Sequence, residues 1–399
     1  MKEKIKKKIL VLTYWDFNDA LIQTYTLPYL EIISKSLYND EQIYLVALNK
    51  SNKKISFNHP LIKVISYSYI PFGFRALIYY LIMLLQLIFF IYKKNITHIH
   101  TWCTPAGLFG YILSLITNRP LIIDSYEPHA EAMVEVGEWK KNSLAFRLLF
   151  YFEKKMTHHA KYLIATTERM IKEYAVSRYN FNPDKNNWFV KPACVNTNLF
   201  NPSNELRNKI RNELQLNNKI VGIYAGKFGG IYLENEFFEF LSVASNYWKE
   251  NFNFIILSSH SKEYVQNKLN EFKIPSNKII HLFVPHNEVH KYLNVADYAI
   301  TIFKPTYSRK FGSPIKDGEY WATGLPVIIT KDISDDSDII EKNNIGYVLK
   351  ELNKTEYQKA IEYIDRLISD KEIKNKIVQI AKQYRSFDNI SWIYSKIYS

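Results

Sequence analysis

Short apolar, β-branched runs alternate with longer stretches of helical spacing along the whole chain. Residues 8–13, 43–48, 98–100, 121–124, 162–166 and 188–192 read as strands in the first half. The strand candidates of the second half are 220–225, 254–258, 279–284, 298–303, 325–329 and 345–348. Unbroken runs such as Ile9-Leu10-Val11-Leu12 suit strands covered on both faces, as in parallel sheets wrapped by helices. Between them, 27–37, 104–116, 167–175, 262–272, 289–294, 315–323 and 356–384 carry helical spacing. Strand and helix in turn predict the α/β class. The pattern restarts after a polar linker, Asn201-Pro202-Ser203-Asn204, so two doubly wound domains are expected, 1–200 and 201–385, followed by a closing segment 386–399.

One run departs from this pattern. Residues 76–92 are apolar throughout apart from Gln86, and Arg75, Lys93 and Lys94 flank them. Their 17 residues fall just under the length needed to cross hydrocarbon. A helix packed on the sheet is expected, either wholly covered or with one edge touching lipid. A true span is disfavoured, because strands of one sheet lie on both sides of it. Residues 139–155 set Trp139, Lys140, Lys141 and Arg147 among many aromatics, as interfacial helices do; packing accounts for part of that content.

The 399 residues are enough for two separate cores, and 47% apolar with 23% charged residues is ordinary for a globular protein. Two cysteines, Cys103 and Cys194, make neither a disulfide framework nor a metal motif. A formal charge of +13 favours anionic partners: acidic lipid, phosphorylated substrate or nucleic acid. Nucleic acid ranks last because no nucleic-acid motif is present. Lys2, Lys4, Lys6, Lys7 and Lys8 precede an apolar run too short for a signal peptide.

The richest chemistry lies in residues 304–330, KPTYSRKFGSPIKDGEYWATGLPVIIT. A strand end is followed by a polar loop, then a short helix over 315–323 with Ser313 able to cap it and Pro314 suited to its start. Gly324 suits the left-handed position after the helix. Free backbone N–H groups, a hydroxyl and Lys316 at a helix start make an anion site. A second such place follows the strand 220–225, where Gly226, Gly229 and Gly230 border Lys227 and let the backbone approach a phosphate.

Ser313, Pro314, Lys316 and Glu319, with the strand Gly324-Leu325-Pro326-Val327, resemble the donor signature of family 4 glycosyltransferases. The resemblance implies the GT-B fold, two Rossmann-like domains facing a cleft, with residues 386–399 packing back on the first. It gives Glu319 the donor ribose, Lys227 the diphosphate, and Pro285 and His286 the nucleotide base. The first glutamate of the signature should stand eight positions before Glu319, where Phe311 is found. A second basic residue after Lys227 is also missing, and Lys316 is expected to supply that charge, with Arg309 and Lys310 in reserve.

In parallel sheets ligands bind beyond the carboxyl ends of the strands. That makes Trp15, Asp16, Asn18 and Asp19, after the first strand, candidates for acceptor binding. Asp124, Glu127, His129 and Glu131 crowd the exit of another strand. Asp124 is a further acceptor-binding candidate, and Glu127, ahead of Glu131, is a candidate base for an acceptor hydroxyl. The resemblance implies that His129 faces the transferred sugar; a structural loop hydrogen bond is the other reading.

The reaction expected is transfer of a sugar from a UDP- or GDP-linked donor to a hydroxyl, with Lys227 and Lys316 stabilising the departing diphosphate. The resemblance implies retention of configuration, with the leaving phosphate helping to remove the acceptor's proton. No cofactor and no metal are expected. A lipid-linked or oligosaccharide acceptor, contact with an anionic membrane at its cytoplasmic face, and a place in bacterial surface polysaccharide assembly complete the expectation. A nucleotide-sugar 2-epimerase of the same fold and an inactive transferase-like scaffold are the alternatives.

Overall fold

The structure, a computed structural model, describes residues 6–19, 21–50, 55–71 and 73–398. Lys2 and Lys4 of the basic run lie outside the described residues. The chain folds as two units: one ends at Lys191 and resumes at Ile390, and the other is Pro192–Asn389. Residues 192–200, expected in the first unit, belong to the second, because Val195 and Phe200 are buried in its core. The Val195 N–H also donates to the Arg385 carbonyl at 2.8 Å. Residues 386–389 belong to the second unit as well.

Among its described residues the first unit holds seven strands: β1 (Lys8–Asp16), β2 (Gln42–Asn49), β3 (Ile62–Ser68), β4 (His98–Trp102), β5 (Leu121–Tyr126), β6 (Tyr162–Ala165) and β7 (Trp188–Val190). Their order is β3-β2-β1-β4-β5-β6-β7, and every pairing is parallel. Ile9 to Leu12 of β1 are all buried, as a strand covered on both faces requires. The first strand is longer than the expected 8–13. β1 runs on to Asp16, and helical turns begin at Ile22. The strand β3 has no counterpart among the expected elements.

The second unit holds β8 (Ile220–Ala225), β9 (Phe252–Leu257), β10 (Ile279–Leu282), β11 (Tyr298–Thr301), β12 (Val327–Thr330) and β13 (Gly346–Leu349), ordered β10-β9-β8-β11-β12-β13, again all parallel. The strand order reverses between β8 and β11. Beyond the carboxyl ends of those two strands lies the crevice where ligands of such sheets bind.

The short helix after β11 spans Ile315–Ala322. Pro314 is its N-cap, and no side chain caps it, so the expected Ser313 cap does not form. It ends in a Schellman motif: the Gly324 N–H donates to the Trp321 carbonyl and the Leu325 N–H to that of Tyr320, both at 2.9 Å. Gly324 supplies the required positive φ of 80°.

Candidate active site

In the second unit the chain leaves β8 at Ala225, whose N–H is held by the Tyr320 hydroxyl at 3.0 Å. It then turns at Gly226 with φ 154°. A Cβ there would lie 2.6 Å from the Lys316 Nζ and 2.7 Å from the Tyr224 hydroxyl, so glycine alone lets the backbone pass this close. Gly229 and Gly230 also have positive φ, 77° and 61°. Lys227 between these turns is exposed.

Lys316 stands out in this crevice. Its stem is partly accessible, but its ammonium is sealed and has no hydrogen-bond partner. The Nζ lies 4.6 Å from the Tyr224 ring centre, 4.5 Å from that of Tyr232 and 5.6 Å from that of Phe303. Loss of hydration pushes its pKa down to about 8, against the pull of Asp317 and Glu319. Aromatic faces stabilise a cation but satisfy none of its three N–H donors. Such a group is built to receive an anion.

One turn further along the same helix, Glu319 is buried, and its Oε1 accepts from the His286 Nε2 at 2.6 Å. Burial lowers the His286 pKa, but the hydrogen bond and charge of Glu319 outweigh it and hold the imidazole above its usual value. The two candidates thus meet, and Pro285 is the N-cap of the helix His286–Val295 that presents His286.

Ser313 takes another role. Its hydroxyl accepts from the Ala193 N–H at 3.0 Å and from the buried Arg385 guanidinium. Arg385 is also paired with Asp336, and Asp317 beside them accepts from the Thr301 hydroxyl. Burial pushes both carboxyls above the usual range, most strongly Asp336, while Arg385 draws them back. A buried ionic cluster therefore underlies the helix Ile315–Ala322. Phe311, standing where an acidic residue was expected, is fully buried against Tyr307, with ring centres 5.1 Å apart. Arg309 and Lys310 fall in the turn Tyr307–Phe311, and Lys310 pairs with Asp332 at 3.3 Å.

In the first unit, His129 opens the helix His129–Glu135 and meets the Tyr14 ring edge-on, with ring centres 6.5 Å apart. Glu127 accepts from the Thr166 hydroxyl at 3.3 Å, and its carbonyl accepts from Thr104 at 2.6 Å. Glu131 is buried and paired with Arg178, which takes its carboxylate out of use as a base.

Glu153 escaped sequence reasoning. Fully buried on the helix Leu144–His159, it accepts from the Ala130 N–H at 2.9 Å, from that of His129 and from the Tyr179 hydroxyl at 2.8 Å. It therefore fixes the backbone that carries His129. Burial raises its pKa to about 8 in spite of these donors.

Asp124 corrects an expectation. It is wholly enclosed, with Lys191 at 2.9 Å, His100 at 3.3 Å and the Tyr394 hydroxyl at 2.7 Å, so no oxygen remains for an acceptor. Burial would raise its pKa, but Lys191 and His100 pull it down to about 2. Asp16 and Asp19 also serve the backbone. Asp16 accepts from the Asn18 N–H at 2.9 Å and the Lys50 N–H at 2.5 Å, and Asp19 accepts from the Leu21 N–H at 2.9 Å. Trp15 packs on Tyr14 with ring centres 5.0 Å apart, and Asn18 is exposed. Among the described residues no three His, Cys, Asp or Glu side chains gather as metal ligands.

Residues 207–384 match the family described as glycosyl transferases group 1. A search of the curated proteins finds no match. Among solved structures the chain is similar to sucrose-phosphate synthase from Thermosynechococcus elongatus, with TM-score 0.77 and 14% identity over 98% of each chain. It is also similar to HepE of Anabaena in complex with UDP, with TM-score 0.71 and 14% identity over 98% of this chain and 99% of that one. WaaG, a glycosyltransferase involved in lipopolysaccharide biosynthesis, matches with TM-score 0.69 and 12% identity over 98% of each chain. The chain has the GT-B fold, and its second unit carries a glycosyl transferases group 1 domain over residues 207–384.

Proposed function

We propose that the protein moves a sugar, with retained configuration, from a UDP- or GDP-linked donor to a hydroxyl of a lipid-linked or oligosaccharide acceptor. The observation that carries this reading is the sealed, unpartnered Lys316 ammonium against Gly226, beyond the switch in strand order of the second sheet. A donor diphosphate laid on residues 226–230 would meet that ammonium and the uncapped start of the helix Ile315–Ala322. Lys227 adds an exposed charge beside it. Glu319, with one oxygen on His286, is suited to the ribose hydroxyls, and residues 285–286 to the base. HepE in complex with UDP and glucose, and an Escherichia coli protein bound with UDP-2-fluoro glucose, lend UDP support as the nucleotide.

During transfer the bond between the sugar C1 and the diphosphate oxygen breaks, and a bond from C1 to the acceptor oxygen forms. The acceptor's proton passes to the departing diphosphate, whose growing charge Lys316 and Lys227 stabilise. His129, fixed by Glu153, is the group assigned to the sugar, and Glu127 the carboxylate assigned to the acceptor. Trp15, near the end of β1, and Asn18, just after it, are the side chains left for acceptor contact. The setting proposed is the cytoplasmic face of a bacterial membrane, in surface polysaccharide assembly.

Titration calorimetry with UDP and GDP tests the reading. One nucleoside diphosphate should bind the wild-type chain, and Lys316→Ala together with Lys227→Ala should abolish binding in a chain that still melts cooperatively. Unchanged binding in that variant overturns the assignment. Conversion of a nucleotide sugar without any acceptor would replace transfer by epimerisation.

A further inference from the structure

The helix Phe74–Lys94 follows β3 and leads to β4, and it buries only one face. Ala76, Met83, Leu87 and Ile91 point inward. On the other side Leu77, Leu81, Leu85 and Phe89 form a stripe at helical spacing, with Leu85 and Phe89 each 66% exposed. The helix Cys103–Thr117 packs beside it, and the Tyr92 hydroxyl reaches the Ile116 carbonyl at 3.5 Å. Leu115 and Ile116 at that end are exposed too. Leu144–His159 packs on the far side of Cys103–Thr117 and exposes Leu144, Leu148 and Tyr151. These helices join β3 to β4, β4 to β5 and, after a short helix, β5 to β6. The strands step in one direction across the sheet, so right-handed crossovers put all three on the same face.

Their charges have one sign. Arg75, Lys93, Lys94, Arg147, Lys154 and Lys155 are the basic residues of the three helices. The single acid, Glu153, is fully buried. The Lys93 ammonium lies 5.6 Å from the Phe89 ring centre, and that of Lys155 lies 5.5 Å from the Tyr151 ring centre, so cations edge the apolar surface. An apolar stripe edged only by cations fits an anionic bilayer surface. A second copy of the same face would bring like charges together. A span is excluded because β3 and β4, on either side of the helix, are strands of one sheet.

We infer that these three helices form a lipid-docking face, with Phe74–Lys94 lying in the plane of the interface and its stripe sunk among anionic phospholipid headgroups. The inference deepens the membrane setting proposed above and rests on it. It would hold the first unit, which carries His129 and Glu127, at the surface where a lipid-linked acceptor resides.

Flotation of the full chain with vesicles tests it. The chain should rise with phosphatidylglycerol–phosphatidylcholine vesicles and stay behind with phosphatidylcholine alone or in high salt. Leu85→Glu with Phe89→Glu should abolish flotation. Lys93→Glu with Lys94→Glu should weaken it more than tenfold, since each basic side chain near such a surface is worth about fivefold. All four positions are exposed, so cooperative melting should persist. Flotation that survives the Leu85/Phe89 pair, or a wild-type dimer that the pair converts to monomer without any vesicle binding, overturns the inference. Nucleotide binding on the same samples separates the two readings. Its loss with flotation intact removes the donor assignment alone, and the reverse removes the docking face alone.

Discussion

The Lys316 ammonium lies where a Cβ on residue 226 would almost touch it, 2.6 Å away. The backbone leaving β8 and the cation on the helix after β11 therefore meet at one point, the anion receptor proposed above. Gly226→Ala should displace the ammonium, because the tip of a flexible lysine yields before backbone does. Nucleoside diphosphate affinity should fall about 10- to 100-fold, the worth of a charge-assisted contact. The φ of 154° adds a stability cost of about 1 kcal/mol. Calorimetry and thermal unfolding measure the two effects separately.

Donor binding should weaken as pH rises through about 8, where the free Lys316 loses its proton. The bound diphosphate favours the charged amine, so its pKa rises in the complex and protons are taken up on binding in this range. Above about 8 the dissociation constant should climb up to tenfold per pH unit. Lys316→Met should bind weakly at every pH and show no such slope.

Glu153 gives stability the opposite pH behaviour to that of an ordinary paired carboxylate. Its folded pKa of about 8 stands above the unfolded value, so the folded state holds a proton that the unfolded chain has released. Stability of the first unit should decline as pH rises from the ordinary glutamate range through about 8. Glu153→Gln should flatten that decline in thermal unfolding between acid and alkaline buffers. A Glu153→Gln chain that follows the wild-type pH curve would count against the assignment.

Asp124→Asn should destabilise the first unit by about 3–5 kcal/mol, because it strands the buried Lys191 charge. Denaturant unfolding reads this directly, while nucleotide affinity in the second unit should stay unchanged. With a folded pKa of about 2, the Asp124 contribution is full above the ordinary aspartate range and is lost as pH falls toward 2.

Features that act over a few residues were legible in the sequence. Apolar runs located most strands, and Gly324 after a helical stretch announced the Schellman turn. Alternation of strand and helix announced two parallel, doubly wound sheets with ligands beyond their strand ends, but not the order of the strands. The roles of single polar residues were less legible, because their partners lie far along the chain. Ser313 looked like a local cap, but its hydrogen bonds go to Ala193 and Arg385, 120 and 72 positions away. Glu153 sits amid an aromatic helix, and nothing nearby reveals that it caps backbone 23 residues earlier. Asp124 stood at a strand exit as reactive groups do, but it is enclosed by Lys191 and Tyr394, the latter 270 positions later. Edge strand β3 was missed because its partial alternation and intermediate burial leave only a weak apolar run.

Tyr394 and Tyr398 close the polar knot around Asp124 and His100 from the helix Ser391–Tyr398, although the sheet they complete is otherwise made from the first 190 residues. During synthesis the early sheet must therefore wait, with Lys191 and Asp124 only partly enclosed, until that helix has left the ribosome. Maturation of the amino-terminal half is thereby tied to the appearance of residues 391–398, and chains cut off before them would carry an unfinished first half for quality control to recognise.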